Sequence, residues 1–317
     1  MDILMDILRG IAAIRTPILD FFFSAITYVG DEIFFLAFAM TVFWCVNKRE
    51  GYYVLFVGLF GTVANQFLKL LCRIPRPWVV DPEFKPIDSA IEAASGYSFP
   101  SGHTQNVAGT LGAFAAYNRK KVITVISVSL IVLVAFSRMY LGVHTLLDIA
   151  VSLVFGLALV LLLRPVFSSD ESFRRFMPYL AGLGIFLCIG FTVYVHAVSS
   201  DSDLDPHNLH SAMKNAYTLI GCLAGLFPVY LVDTKFTKFD TRAKWYVQVI
   251  KLALGFGIVL LIKSGLSAPL VALFGNEFIA RAVRYFLIVV FAGMLWPMCF
   301  KYLCRINIPA LDFKNKT

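Results

Sequence analysis

The residues best equipped for chemistry are His144 and Asp148, with Ser137-Arg138 just ahead of them and Pro100-Ser101-Gly102-His103 further upstream. Positions four apart are neighbours on a helical turn, so Asp148 can hold one imidazole nitrogen of His144, fix its tautomer and raise its nucleophilicity. That is half of a triad; the alternative is an intrahelical pair that only satisfies itself. Ser101 suits a helix N-cap and Gly102 admits a ligand close to the backbone, so the free amides and dipole of that helix end form an anion site. His103 beside it is placed to move a proton, whereas a lone histidine after a cap is ordinary polar surface. Lys69 and Arg76 stand seven apart and would share a face if the helix continued, but Pro75 and Pro77 break it and leave both cations at a helix end. Alone they read equally as a snorkelling pair. Three cations, a helix N-terminus and two histidines together suit in-line phosphoryl transfer, which needs positioning and compensation of equatorial charge.

The elements that carry these residues are set by composition. The chain has 317 residues, 59% of them hydrophobic and 15% charged, with a mean hydropathy of +0.76. Soluble domains carry about 25% charge. Apolar runs at 32–47, 52–71, 102–118, 122–142, 145–163, 177–198, 216–233, 245–263 and 282–303 approach the ~20 residues that cross a bilayer. The expected fold is therefore all-α: a polytopic membrane bundle of about nine spans. Residues 3–29 are apolar but carry Asp6, Arg9, Arg15 and Asp20 near one helical face, which predicts an N-terminal interfacial helix. The start lacks a basic n-region and a small-residue cleavage site, so no cleaved leader is expected.

Alternate connectors are basic: Lys48 and Arg49; Arg119 to Lys121; Arg164, Arg174 and Arg175; Lys235, Lys238, Arg242 and Lys244; and Arg305, Lys314 and Lys316 in the tail. These are assigned to the cytoplasm. The acidic or mixed connectors, with Asp81, Glu83, Asp88 and Glu92 in one and Asp201, Asp203 and Asp205 in another, face outward with the chemical residues. The net charge of +8 is thus topological rather than a nucleic-acid surface, because no basic stripe with interleaved aromatics exists. Pro165, two serines and a charge cluster mark a boundary between residues 1–164, which hold every motif, and an additional helical portion, 165–317.

Lys69, Arg76 and Pro77, then Pro100 to His103, then Ser137, Arg138, His144 and Asp148 resemble in full the signature of the type 2 phosphatidic-acid phosphatase superfamily. The resemblance covers about residues 20–163. It implies that His144 attacks phosphorus, Asp148 orients it and His103 protonates the leaving oxygen, while Lys69, Arg76, Ser101, Gly102 and Arg138 hold the phosphoryl oxygens. No metal or other cofactor is implied. The expected activity is hydrolysis of a lipid phosphate or polyprenyl diphosphate through a phosphohistidine, on the extracytoplasmic face of a bacterial plasma membrane. Two alternatives stay open: a sugar-phosphate phosphatase, since glucose-6-phosphatase is similar in signature and span number, and a transporter that retains the phosphate site.

Other residues carry weaker expectations. His196, His207 and His210 with the nearby aspartates read as a solvated loop rather than a metal site. Lys214, Lys251, Lys263, Arg281 and Arg284 are expected to snorkel from span ends, with one or two free to meet a second anionic group. The six cysteines read as small core residues, and the loop from Trp78 to Phe99 as an interfacial lid.

Overall fold

The computed structural model describes residues 2–306 apart from 92, 93 and 203; Glu92, Asp203, Lys314 and Lys316 lie outside the described residues. Among the described residues every regular element is helical. The helices are α1 (Asp2–Ala12), α2 (Pro17–Ile26), α3 (Glu32–Thr41), α4 (Lys48–Cys72), α5 (Gly102–Asn118), α6 (Lys121–Tyr140) and α7 (Leu146–Leu163). They are followed by α8 (Asp170–Ala197), α9 (Pro206–Val232), α10 (Trp245–Gly265), α11 (Ser267–Phe274), α12 (Glu277–Val290) and α13 (Trp296–Leu303), the last two joined by a π turn (Phe291–Leu295).

Among the described residues seven helices are long and apolar enough to cross a membrane, and an eighth span results if α1 and α2 count as one. The two remaining runs are shorter: 32–46 forms α3 with its π turn, and α5 has 17 residues. At 1.5 Å per residue α5 is about 26 Å long. Packed against α4, α6 and α7, it can carry Thr104, Gln105 and Asn106 without exposing them to lipid. Close approach is possible because the α7 contact uses small residues: a Cβ on Gly156 would sit 3.0 Å from Ala108 Cβ and 3.2 Å from the Gln105 carbonyl.

Residues 3–29 are not one interfacial helix. The segment bends by 117° between α1 and α2. Thr16 caps α2 through Leu19 N, and Pro17 occupies the first helical position, where its missing N–H costs nothing. Three of the charges on this segment tie it to the rest of the protein, while Asp6 and Arg9 stay exposed. Arg9 pairs with Asp81 at 2.8 Å, Arg15 donates to the Tyr140 and Lys85 carbonyls, and Asp20 accepts from the Tyr140 hydroxyl. The helix pair thereby clamps the 78–99 loop and the end of α6.

Basic connectors gather at one end of the bundle: Arg49 pairs with Asp170 and bonds Tyr117, while Lys48 pairs with Asp233. At the opposite end, where α4 stops and α5 and α7 start, Arg73 pairs with Asp201 at 2.6 Å. One core cluster runs through both portions, joining Tyr52 to Phe60 on α4 with Phe191, Leu223, Tyr285 and Trp296.

Three minor expectations are corrected. Lys251 does not snorkel: it is fully buried, its ammonium lying 4.4 Å over the Phe300 ring. Lys263, which is exposed, and the half-buried Arg281 and Arg284 all line one open cavity, so three of these cations rather than one or two are placed to meet an anionic group. Cys72, Cys299 and Cys304 are exposed, and only Cys188 and Cys222 are buried; Cys72 and Cys304 fall at helix ends rather than in the core.

Candidate active site

The chemical residues converge on one end of the bundle through four helix termini. Helix α4 ends at Cys72, with Arg73 in the left-handed region at φ +50°, so Lys69 sits in the last turn and Arg76 opens the single turn Pro77–Val80. Ser101 caps α5 by accepting from Thr104 N. Arg138 lies in the last turn of α6, and Thr145 caps α7 in a capping box with Asp148. His144 stands between these two helices, outside the spanning segments.

Arg76 Nη1 lies 3.0 Å from His144 Nε2. A guanidinium can only donate, so Nε2 is the accepting nitrogen and the ring proton belongs on Nδ1. That nitrogen faces Asp148 Oδ2 at 3.4 Å, within ion-pair distance though off hydrogen-bond alignment. The carboxylate is itself fixed, since Oδ2 accepts from Ser98 Oγ at 2.6 Å and from Thr145 N at 2.8 Å. Both side chains are only 2% exposed. Burial first, then the charges of Arg76, Arg138 and Lys69, hold the His144 imidazole well below its ordinary range, so the ring is neutral at physiological pH.

Among the described residues none of the three cations hydrogen-bonds a carboxylate: Lys69 and Arg76 are held by backbone oxygens and Arg138 by a hydroxyl. Arg76 donates to the Ser95, Gly96 and Val143 carbonyls, and Lys69 to the Tyr97 carbonyl. Arg138 is completely buried; its Nη1 donates to Thr27 Oγ1 at 2.7 Å, while Nε and Nη2 have no hydrogen-bond partner. A buried guanidinium with two free nitrogens favours an anion strongly. His103 Nε2 lies 4.0 Å from Asp31 Oδ2. Lys69, Arg76, Gly102, His103, Arg138 and His144 all line one cavity of about 1020 Å³, and Ser101 and Asp148 are buried behind it.

All eight expected residues therefore assemble. Ser98, Thr27 and Asp31 join them unannounced: each lies between the long helices, 50, 111 and 72 positions from its partner. The 78–99 loop supplies at 95–98 the carbonyls and hydroxyl that orient the cations and the carboxylate. The later histidines scatter, His196 to Tyr217 and His210 to Glu277, and no group of three metal-ligating side chains exists among the described residues.

A helical membrane protein with a buried, cation-lined site at one end of its bundle is equipped to bind an anion there. The PAP2 superfamily profile matches residues 50–171, and the profile of the transmembrane extension of PAP2 superfamily phosphatases matches residues 217–306. The chain belongs to the PAP2 superfamily and is a membrane phosphatase of its lipid phosphate hydrolase class.

Among curated proteins it is similar to phosphatidylglycerophosphatase B of Bacillus subtilis, with 30% identity over 183 residues, 53% of this chain and 83% of that protein. A probable sphingosine-1-phosphate phosphatase of Dictyostelium discoideum is 28% identical over 170 residues, 50% of this chain and 41% of that one. Lipid phosphate phosphatase delta of Arabidopsis thaliana is 28% identical, matched over 38% of its length. The chain thus spans about two fifths of these two longer relatives. A crystal structure of a transmembrane PAP2-type phosphatidylglycerolphosphate phosphatase from Bacillus subtilis matches 51% of this chain and 83% of its own, with 28% identity and a TM-score of 0.44.

Proposed function

We propose that this chain hydrolyses a phosphomonoester or diphosphate of a lipid through a phosphohistidine on His144, without a metal, at the extracytoplasmic face of a bacterial plasma membrane. The carrying observation is the line Arg76 Nη1, His144 Nε2, His144 Nδ1, Asp148 Oδ2, which gives a neutral imidazole whose one ring lone pair points at the cations and is held by Arg76 until substrate enters. When substrate enters, a phosphoryl oxygen takes over the Arg76 hydrogen and Nε2 attacks phosphorus. The P–N bond forms as the P–O bond to the lipid breaks, and His103 gives its proton to the leaving oxygen. The charge on the imidazolium is met by Asp148, and the charge on the equatorial oxygens by Lys69, Arg76, Arg138 and the Gly102 amide at the start of α5, with Ser101 holding that helix end through the hydrogen bond from its own amide to the Asp148 carbonyl. Water then attacks phosphorus and passes its proton to His103, releasing phosphate and returning both histidines to their starting forms.

Three cations in the site support charge compensation by side chains alone. Placement of the Lys48-Arg49 connector, with its partners Asp233 and Asp170, at the end of α4 opposite His144 supports the outward orientation. The named relatives support a lipid rather than a sugar phosphate. A phosphate-release screen of the purified protein across lipid, polyprenyl and sugar phosphates, with chelator present, tests the reading. Release from lipid phosphates in chelator is expected; a metal requirement, or release from sugar phosphates only, would overturn it.

A further inference from the structure

The cavity that holds His144 continues far beyond it, along a stripe on α4 formed by Lys69, Asn65, Thr62, Leu59, Leu55 and Tyr52. Those 17 positions correspond to about 26 Å of helix, most of the ~30 Å hydrocarbon thickness of a bilayer. The volume of about 1020 Å³ lies at the upper limit of ligand sites, which run to roughly 1,000 Å³. A phosphate group alone would leave most of it unfilled.

Each wall shows the same gradient. On α3 and its π turn the lining passes from Glu32 to Leu36, Met40 and Phe43; on α9 from Asn215 to Cys222, Leu226 and Val229. On α10 it passes from Lys263 to Val259 and Phe256, and on α12 from Arg281 and Arg284 to Ile288 and Val289. The polar ends share one level. Glu32 feels the charges of Lys263 and Arg281, and its neighbour Asp31 lies 4.0 Å from His103. Five helices have independent sequences, yet all turn from polar to apolar in the same direction away from the catalytic end. The far end offers water few polar partners, and water in a cavity needs two to four. Three of the five walls come from the portion after residue 165, which contributes nothing to the catalytic cluster.

Resting on the phosphatase reading, we infer that this cavity receives the hydrocarbon chain of the substrate, acyl or isoprenoid, so that the lipid lies along α4 with its phosphate at His144 and its tail between α4 and the C-terminal helices. The C-terminal portion is then the tail-binding half of the enzyme. Lys263, Arg281 and Arg284 form the rim where a head group passes.

The test compares butyl and hexadecyl phosphate as substrates for the wild type and for Leu59→Trp and Leu226→Trp, each of which fills the cavity midway. The wild type should prefer hexadecyl phosphate, and each variant should lose at least about tenfold of that preference, read as the ratio of kcat/KM values. Equal effects on both substrates, or an unaltered preference, would overturn the inference while leaving the phosphatase reading intact. Retention of hexadecylphosphonate through detergent purification, read by native mass spectrometry, decides the point independently of turnover and of folding losses in one variant. Retention by the wild type and its loss in Leu226→Trp are expected; equal retention by both would overturn the inference.

Discussion

Replacing Asp148 by asparagine removes one charge and little volume from the site. In the proposed reaction the His144 ring becomes cationic as phosphorus bonds to Nε2, and the carboxylate oxygen lies 3.4 Å from Nδ1. Full opposite charges at that separation attract by about 5 kcal/mol at an effective dielectric of about 20. With half to all of the imidazolium charge developed in the transition state, the loss is about 2.5–5 kcal/mol, or roughly 70-fold to 5,000-fold in kcat. The asparagine carbonyl can still accept from Ser98 Oγ and Thr145 N, so the start of α7 should survive. Thr145→Ala is the structural control: it removes the cap, costs about 1 kcal/mol of stability and spares the carboxylate. Phosphate release at saturating lipid phosphate, with thermal unfolding of each variant, reads both effects. A folded Asp148→Asn enzyme within about threefold of wild-type kcat would refute the electrostatic argument.

His103→Ala should lower kcat about 10²–10⁴-fold on an alkyl phosphate, yet far less on p-nitrophenyl phosphate, whose leaving group needs no proton; equal losses on both would contradict its role as acid. Arg138→Leu should cost about 10²–10³ in kcat/KM, because its free Nε and Nη2 are the buried donors available to the transition state; an unchanged value would remove Arg138 from the site. Since burial and the neighbouring cations lower the His144 pKa, the ring stays neutral as pH falls, and the acid limb should lie well below the ordinary imidazole value of about 6.5. Burial and the charges of Arg138, His144, Arg76 and Lys69 lower the His103 pKa as well. The basic limb, which follows loss of the His103 proton, should therefore also fall on the acid side of neutrality, and a rate flat from pH 5 to 9 would count against the two-histidine scheme. Gly156→Leu should push α5 away from α7, lowering thermal stability and activity together, and a variant as stable as wild type would refute the close packing.

The site was legible in the sequence because its parts obey local rules. A carboxylate four positions after a histidine, a serine cap before a glycine, and prolines that stop a helix after a lysine are each short-range constraints, and the helices formed by those rules carry the side chains to one place. What supports them was not legible. Ser98 reaches Asp148 across 50 positions, Thr27 reaches Arg138 across 111, and neither pairing leaves a periodic trace. Apolar runs marked the spans, but hydropathy averages over the Thr16-Pro17 cap that bends the first segment by 117°. The same averaging hid Lys251, whose charge reads as a span end although the ammonium packs on Phe300. The cavity depends on five helices lining up their polar ends in three dimensions, and no single helix displays it.

The most direct measurement is identification of the covalent intermediate. Enzyme mixed with a lipid phosphate, quenched in alkali within one turnover and digested, should show a single phosphate on the peptide containing His144, sensitive to acid and absent from His144→Ala. Phosphate release by His144→Ala at a rate near wild type, or a phosphoryl group on any other residue, would contradict the account.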